Sequence, residues 1–259
     1  PGELAKIFLI VFLAGYLREK REVLAQGRLK DLGPLLVIWG GTMLVLVVSN
    51  DLGSALLYFG IFLAMLYVAT ARGLYVGAGV SLFVAGSIGS YYYRGHVRER
   101  VTIWLHPWTT RAVYCPFDGR PHLRQDCQSL QLVKSLYSIG NGGWGGTGLG
   151  RGTFTTTDGH PLIPFLSTDF IYSAIAQELG LIGASAVIML YMVFALRGFR
   201  ISVLGGDGFS KLLAAGLTFG FALQTFIIVG GILRVIPLTG ITLPLISYAT
   251  WRYSGGYRA

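Results

Sequence analysis

The chain has 259 residues, 53% of them hydrophobic and 13% charged, with a mean hydropathy of +0.60. That is too apolar for an ordinary soluble domain, and the separated apolar runs read as an all-α polytopic transmembrane helical bundle with a large extracytoplasmic loop. The net charge of +9 would suggest nucleic acid in a soluble protein. Here the Lys and Arg residues lie in loops between apolar runs, where membrane insertion wants them, so membrane lipids and no nucleic acid are the expected surroundings.

The opening Pro1-Gly2-Glu3-Leu4-Ala5-Lys6 enters an apolar run without a small-residue cleavage site, so no secretory signal peptide is read. With Pro in place of Met at the start, the chain reads as a fragment or a processed product. Residues 7–16 are short for a span but can borrow Leu4 and Ala5. The basic segment 18–30, with Arg18, Lys20, Arg21, Arg28 and Lys30, is assigned to the cytoplasm. Runs at 35–48, 52–70 and 74–93 follow, and counting crossings puts Asn50 and Asp51 outside and Arg72 inside.

Residues 94–168 are polar and rich in Gly, Pro and aromatic residues, with no apolar run of membrane length. This stretch is read as an extracytoplasmic loop within a single membrane domain of residues 1–259, too large to be mere connection. Its many arginines do not count against that orientation, because the positive-inside rule is scored over short loops of about 60 residues or fewer. The next short loop does count, and it carries Arg197, Arg200 and Lys211 on the predicted inner side. Between them runs an apolar stretch, 170–196, whose one charged residue is Glu178. A further span is expected at 212–233, and a last apolar segment at 241–248 stops early, before a tail at 249–259 that cannot continue a span.

On this topology Glu3, Lys6, Asp51 and Asp169 fall at or just below the outer face. Ionisable groups at the hydrocarbon edge are costly unless paired or hydrated, so their gathering on one side suggests a shared polar cavity. Glu3 and Lys6 are three apart on a helix and could equally neutralise each other. Glu178 reads as a buried, hydrogen-bonded strut. Asp169 stands where the polar stretch meets the span, and partial desolvation there would raise its pKa towards that of a useful base.

The glycine-rich run 140–152 contains a formal GxGxxG but no preceding strand, so dinucleotide binding is not expected. Its backbone N–H groups near Arg151 could contact phosphates, or the run could be a re-entrant turn. Cys115 and Cys127 are the only cysteines, and in an oxidising compartment a disulfide is the simplest reading. His122 between them adds no recognised zinc spacing. Arg98, Arg100, Trp104, His106 and Trp108 form a basic and aromatic cluster, in which interfacial anchoring explains the tryptophans as well as ligand binding does.

Taken in order, PGELAK at 1–6, NDLGSALL at 50–57, HVRERVTIWLHPW at 96–108, SLYSIGNGGWGGTGLGRG at 135–152, STDFIYSAIAQELGLIG at 167–183 and PLTGITLPLISY at 237–248 resemble the SEDS family of RodA and FtsW type. The resemblance covers nearly the whole chain. It implies a peptidoglycan glycosyltransferase that polymerises lipid II at the outer face of the bacterial cytoplasmic membrane, paired with a class B penicillin-binding protein, in elongation, division or sporulation. It also implies that Asp169 is catalytic, that Glu3, Lys6 and Asp51 occupy the family's other acidic and basic positions, and that Arg98 and Arg151 offset charge on a leaving diphosphate. No cofactor is certain, and a divalent cation is compatible with that chemistry.

This chain departs from the family at Phe165 and Ser167, where members commonly have an acidic residue and often a His, and at Gln177, which replaces the first Glu of an EELG pattern. Members usually have further spans before the first block and one after the last. An inactive scaffold for a penicillin-binding protein therefore stands as an alternative, and so does a transporter of a lipid-linked precursor. A transporter would place charge near mid-membrane and repeat one half in the other, and neither feature is visible.

Overall fold

The apolar runs up to 233 become helices, because a backbone in hydrocarbon must satisfy its own hydrogen bonds. The computed structural model describes residues 2–25, 33–48, 51–109, 112–115, 120–154, 162–163 and 166–247. Of the positions read above, Arg28, Lys30, Asn50, Phe165 and the 249–259 tail lie outside the described residues. The helices are α1 (Gly2–Ala25), α2 (Gly33–Val48), α3 (Leu52–Thr70), α4 (Gly73–Tyr93), α5 (Gly95–Leu105), α6 (Leu130–Gly142), α7 (Ile171–Leu204) and α8 (Gly208–Ile232). A two-residue hairpin, β1 (Val113–Tyr114) with β2 (Pro121–His122), is the only sheet among the described residues.

Among those residues α3, α4, α7 and α8 are long and apolar enough to cross a membrane. The predicted first two spans differ for visible reasons. α1 carries Glu3 and Lys6 at one end and Arg18 to Glu22 at the other, and α2 has 16 residues. The expected last apolar segment forms a turn over 244–246 and does not start a helix.

The chain divides into two compact units, one of residues 1–93 and 191–224 and one of 94–190 and 225–259. In the first, α3 is the hub and packs against α1, α2 and α4. α1 turns Ile10, Leu13, Ala14 and Leu17 inward at i, i+3, i+4 and i+7, leaving Leu4 and Phe8 exposed on its other side. Lipid tails are as apolar as those outer residues, so close fit has to hold the helices together. α8 supplies it with Gly216 and Gly220. A β-carbon at the first would crowd Ile10 and Met65, and at the second Ile61. Trp39 of α2 stacks on Phe62 of α3 at 4.7 Å, and Phe59 of α3 on Phe83 of α4 at 5.4 Å.

In the second unit the Cys115–Cys127 disulfide closes the hairpin, with Cα atoms 5.9 Å apart. Ser129 Oγ donates to the Pro107 carbonyl at 2.5 Å and Arg124 Nη1 to the His106 carbonyl at 2.8 Å. The stretch after α5 is thereby tied to the start of α6.

α7 is broken at Gly180, which adopts φ 67°, ψ −170°. A break there removes the two helical bonds that would run from Leu181 N to Gln177 O and from Ile182 N to Glu178 O. The glycine-rich run replaces all four partners. Thr147 N donates to Gln177 O and Gly148 N to Glu178 O, each at 3.0 Å. Leu181 N donates to Gly143 O at 2.9 Å and Ile182 N to Trp144 O at 3.3 Å. Of the two open readings of that run, the structure supplies the re-entrant turn. The unbroken part, 181–204, is by itself about 35 Å long and able to cross the hydrocarbon, so the continuous span begins later than the predicted 170–196.

Gly180→Ala should therefore cost on the order of 3 kcal/mol, since a side chain would face positive φ and the backbone of 144–146 together. Gly140→Ala, whose β-carbon meets nothing within 4 Å, should leave the melting temperature almost unchanged. Equal shifts in thermal melts of the two variants would show that the docked run does not depend on the break.

Candidate active site

Asp169 lies in the turn just before α7, half-buried between Thr168 and Phe170, which are 5% and 1% exposed. The turn is held by Ser247, whose hydroxyl donates to the carbonyls of Thr168 and Ser167. Burial pushes the Asp169 carboxyl above its usual range, while a side-chain hydrogen bond from Thr168 and the positive charge of Arg100 act the other way. The raised direction means the folded state holds this proton more tightly. That contribution to stability is complete at low pH and disappears as pH rises through the folded-state value.

Arg100 is put beside Asp169 by α5. His96, Arg100 and Trp104 recur every four residues and form one stripe along that helix. Arg100 Nη1 donates to the carbonyls of Leu238 and Thr239 at 3.1 and 2.9 Å, and its Nε donates to His96 Nε2 at 3.1 Å. Trp104 Nε1 donates to the Arg234 carbonyl at 2.9 Å. Arg234 replies by donating to the Trp104 and Leu105 carbonyls, which α5 leaves unsatisfied at its end. Arg234 also lies 5.2 Å from the Trp108 ring. The 234–240 segment is thus fastened along α5 and brings Gly240, at φ 72°, between the two charges. A β-carbon at Gly240 would sit 3.7 Å from Asp169 Oδ2 and 3.9 Å from Arg100 Nη2.

Trp104 commits its indole N–H to this bond with Arg234. Arg98, two residues from Arg100, is exposed on another face of α5. Arg151 is exposed and follows the docked glycine-rich run, its backbone N–H on Gly148 O at 3.1 Å. The strut role read for Glu178 belongs to its neighbour. Gln177 is 2% exposed, accepts from Ser138 Oγ at 2.5 Å and donates to Thr153 Oγ1 at 2.9 Å.

Glu3, Lys6 and Asp51 belong to the first unit. Lys6 pairs with Glu3, donates to Gln224 Oε1 at 2.5 Å, and Gln224 Nε2 donates back to Glu3 Oε1 at 2.9 Å. Gln224 follows Gly216 and Gly220 on the same face of α8, and its full burial makes it a polar bolt between α8 and α1. Asp51 caps α3, accepting from Ser54 N at 3.0 Å, and both Glu3 and Asp51 act electrostatically on the buried Tyr58. Among the described residues no three His, Cys, Asp or Glu side chains gather as a metal site. Asp169 is offered a guanidinium where a side-chain-held cation would need further carboxylates, so these residues do not fit a divalent ion held by the protein alone.

The family model described as cell cycle protein, and named for FtsW, RodA and SpoVE, matches residues 1–250. The chain belongs to this family. It is a multi-pass protein of the cytoplasmic membrane. The peptidoglycan glycosyltransferase RodA of Mycobacterium tuberculosis (strain ATCC 25618 / H37Rv) is 40% identical over 258 residues, covering 96% of this chain and 51% of its own. Stage V sporulation protein E of Bacillus subtilis (strain 168) is 31% identical over 249 residues, with 96% and 63% covered. The chain thus spans about half the length of the RodA relatives it matches. A chain in the solved structure described as "Structural coordination of polymerization and crosslinking by a peptidoglycan synthase complex" shares the fold, with a TM-score of 0.69 at 24% identity, over 96% of this chain and 64% of that one.

Arg100→Gln should raise the Asp169 pKa further, because the charge opposing the burial effect is lost while the burial stays. Carboxyl titration by infrared difference spectroscopy, with Asp169→Asn to assign the band, reads the shift. A midpoint that stays put or falls would separate the two groups.

Proposed function

We propose that the protein is a peptidoglycan glycosyltransferase that polymerises lipid II at the outer face of the membrane, with Asp169 as general base. The observation that carries this reading is a half-buried carboxylate of raised pKa, held in a braced turn at the mouth of a spanning helix with a fixed guanidinium beside it. A base poised this way takes the proton from the acceptor sugar hydroxyl as that oxygen attacks the anomeric carbon bearing the lipid diphosphate. The Thr168 hydrogen bond and the charge of Arg100 both oppose the effect of burial on the base, and Arg98 and Arg151 are the exposed cations available to the departing diphosphate. The names of the relatives support the reaction class. A class B penicillin-binding protein is the proposed partner, in keeping with a fold neighbour from a complex whose description couples polymerisation to crosslinking. In this reading 1–259 is one membrane domain and 94–168 its extracytoplasmic part.

Asp169→Asn keeps size and hydrogen-bonding capacity but removes the basic carboxylate, so glycan synthesis from purified lipid II should fall on the order of a hundredfold or more. Folding should survive, since a neutral amide is no harder to place at a membrane edge than a carboxylate. The assay is run with the partner present and expression checked. A variant that polymerises at the parent rate would move the base elsewhere.

Orientation has its own check. An impermeant thiol reagent applied to intact cells should label Leu149→Cys and leave Gly206→Cys unlabelled, both positions being exposed. The reverse pattern would put Asp169 on the wrong side for lipid II polymerisation.

A further inference from the structure

The first unit holds an apolar groove of about 210 Å³, formed where the ends of α3 and α7 meet the start of α8. Met65, Val68, Phe199, Ala215 and Phe219 line it, and its one hydroxyl, Ser202, is already committed to the Lys211 carbonyl at 2.8 Å. Nothing in the groove asks for a polar ligand. Lys211 lies one helical turn before Ala215 on the same face of α8 and holds Ser202 of the lining through its carbonyl, while Arg72 comes just past the end of α3, after Ala71 has turned the backbone left-handed.

Other charges at this end are engaged. Arg21 donates to the Ala69 carbonyl at 3.2 Å, while Asp207 caps α8 through the N–H groups of Phe209 and Ser210 and interacts with Arg18. Among the described residues no carboxylate lies within salt-bridge distance of Lys211, Arg72 or Arg200. A dry groove sized for a stretch of hydrocarbon chain, opening beside cations without a carboxylate partner, has the polarity of an anionic phospholipid turned end for end.

We propose that this groove is a binding site for an anionic phospholipid of the cytoplasmic leaflet, one acyl chain lying in the groove, its phosphate met by Lys211 and drawn by the charge of Arg72 at the end of α3. The basic loops place this end of the unit at the leaflet where anionic lipids carry the surface charge. The competing occupant is a further membrane helix, whose backbone satisfies itself; it would leave no room for an acyl chain, and the two lipids would then be retained equally. The site is independent of Asp169 and of the polymerase reading.

The test is native mass spectrometry of the purified full-length protein exposed to equal amounts of phosphatidylglycerol and phosphatidylcholine with identical acyl chains. The parent should retain phosphatidylglycerol at least about fivefold over phosphatidylcholine, and Lys211→Gln with Arg72→Gln should bring the ratio close to one. Lys134→Gln, on α6 of the other unit, should leave it unchanged. Ala215→Leu, which fills the groove, should reduce retention of both lipids. Equal retention by the parent, an undiminished ratio in the Lys211/Arg72 variant, or a ratio lost equally in Lys134→Gln would each overturn the proposal. Lys211 is exposed and its substitution leaves the core intact, so the headgroup comparison stands even where the groove-filling variant fails to fold.

Discussion

A helix inside a bilayer cannot leave backbone groups bare, and this constraint governs the second unit. Breaking α7 at Gly180 frees two carbonyls and two N–H groups where water is scarce, and each unsatisfied group would cost several kcal/mol. The glycine-rich run answers all four with matching bonds. It can do so only because the two backbones approach without side chains between them. A β-carbon on Gly142 or Gly146 would strike the carbonyls of Ala176 and Glu178, and one on Gly180 the backbone of 144–146. The interlock fixes α6, the run and the first turns of α7 as one piece, and that piece carries Asp169 at its edge.

The other side of the site is built by a helix that never enters the candidate spans. α5 is amphipathic in an unusual sense, in that its functional stripe is polar and aromatic and is directed at a loop backbone. Arg100 and Trp104 donate to carbonyls of 234–239, and Arg234 caps the helix end in return. Such bonds give the guanidinium a fixed address. A free arginine beside Asp169 would share its charge with solvent, whereas one held by two carbonyls delivers it to one place.

Much of this architecture was legible because membrane helices announce themselves. The run expected at 52–70 is α3 to the residue, and those at 74–93 and 212–233 are displaced only at their ends, whereas 170–196 is interrupted at Gly180 and 241–248 starts no helix. The position of Asp169 at a helix mouth could also be read, as could its pKa direction. The role of Arg100 could not be read. Its partners are backbone carbonyls some 138 residues away, and a carbonyl carries no side-chain signature. The signal that was available is the four-residue spacing of His96, Arg100 and Trp104, which separates that stripe from Arg98. The break in α7 was hidden for a similar reason. Gly180 in an apolar helix is unremarkable until its partner run is known, and the composition of 140–152 fitted a phosphate cradle as well as a splice.

The molecule handles charge at the hydrocarbon edge in two contrasting ways. Glu3 and Lys6 are paired and then bridged by the amide of Gln224, so each formal charge is met by an opposite charge and by a neutral dipole. A pair satisfied on both counts suits a bolt between α1 and α8. Asp169 is treated differently, since desolvation raises its pKa and Arg100 only partly offsets that rise. A carboxyl held in that imbalance is held less firmly in its ionised form, and accepting a proton relieves it. The difference lies in geometry more than in residue type, because both are carboxylates beside cations. The feature that separates them is the half-open turn at 166–169, braced from one side by Ser247 and faced by Gly240, where a side chain would otherwise fill the space against the carboxylate.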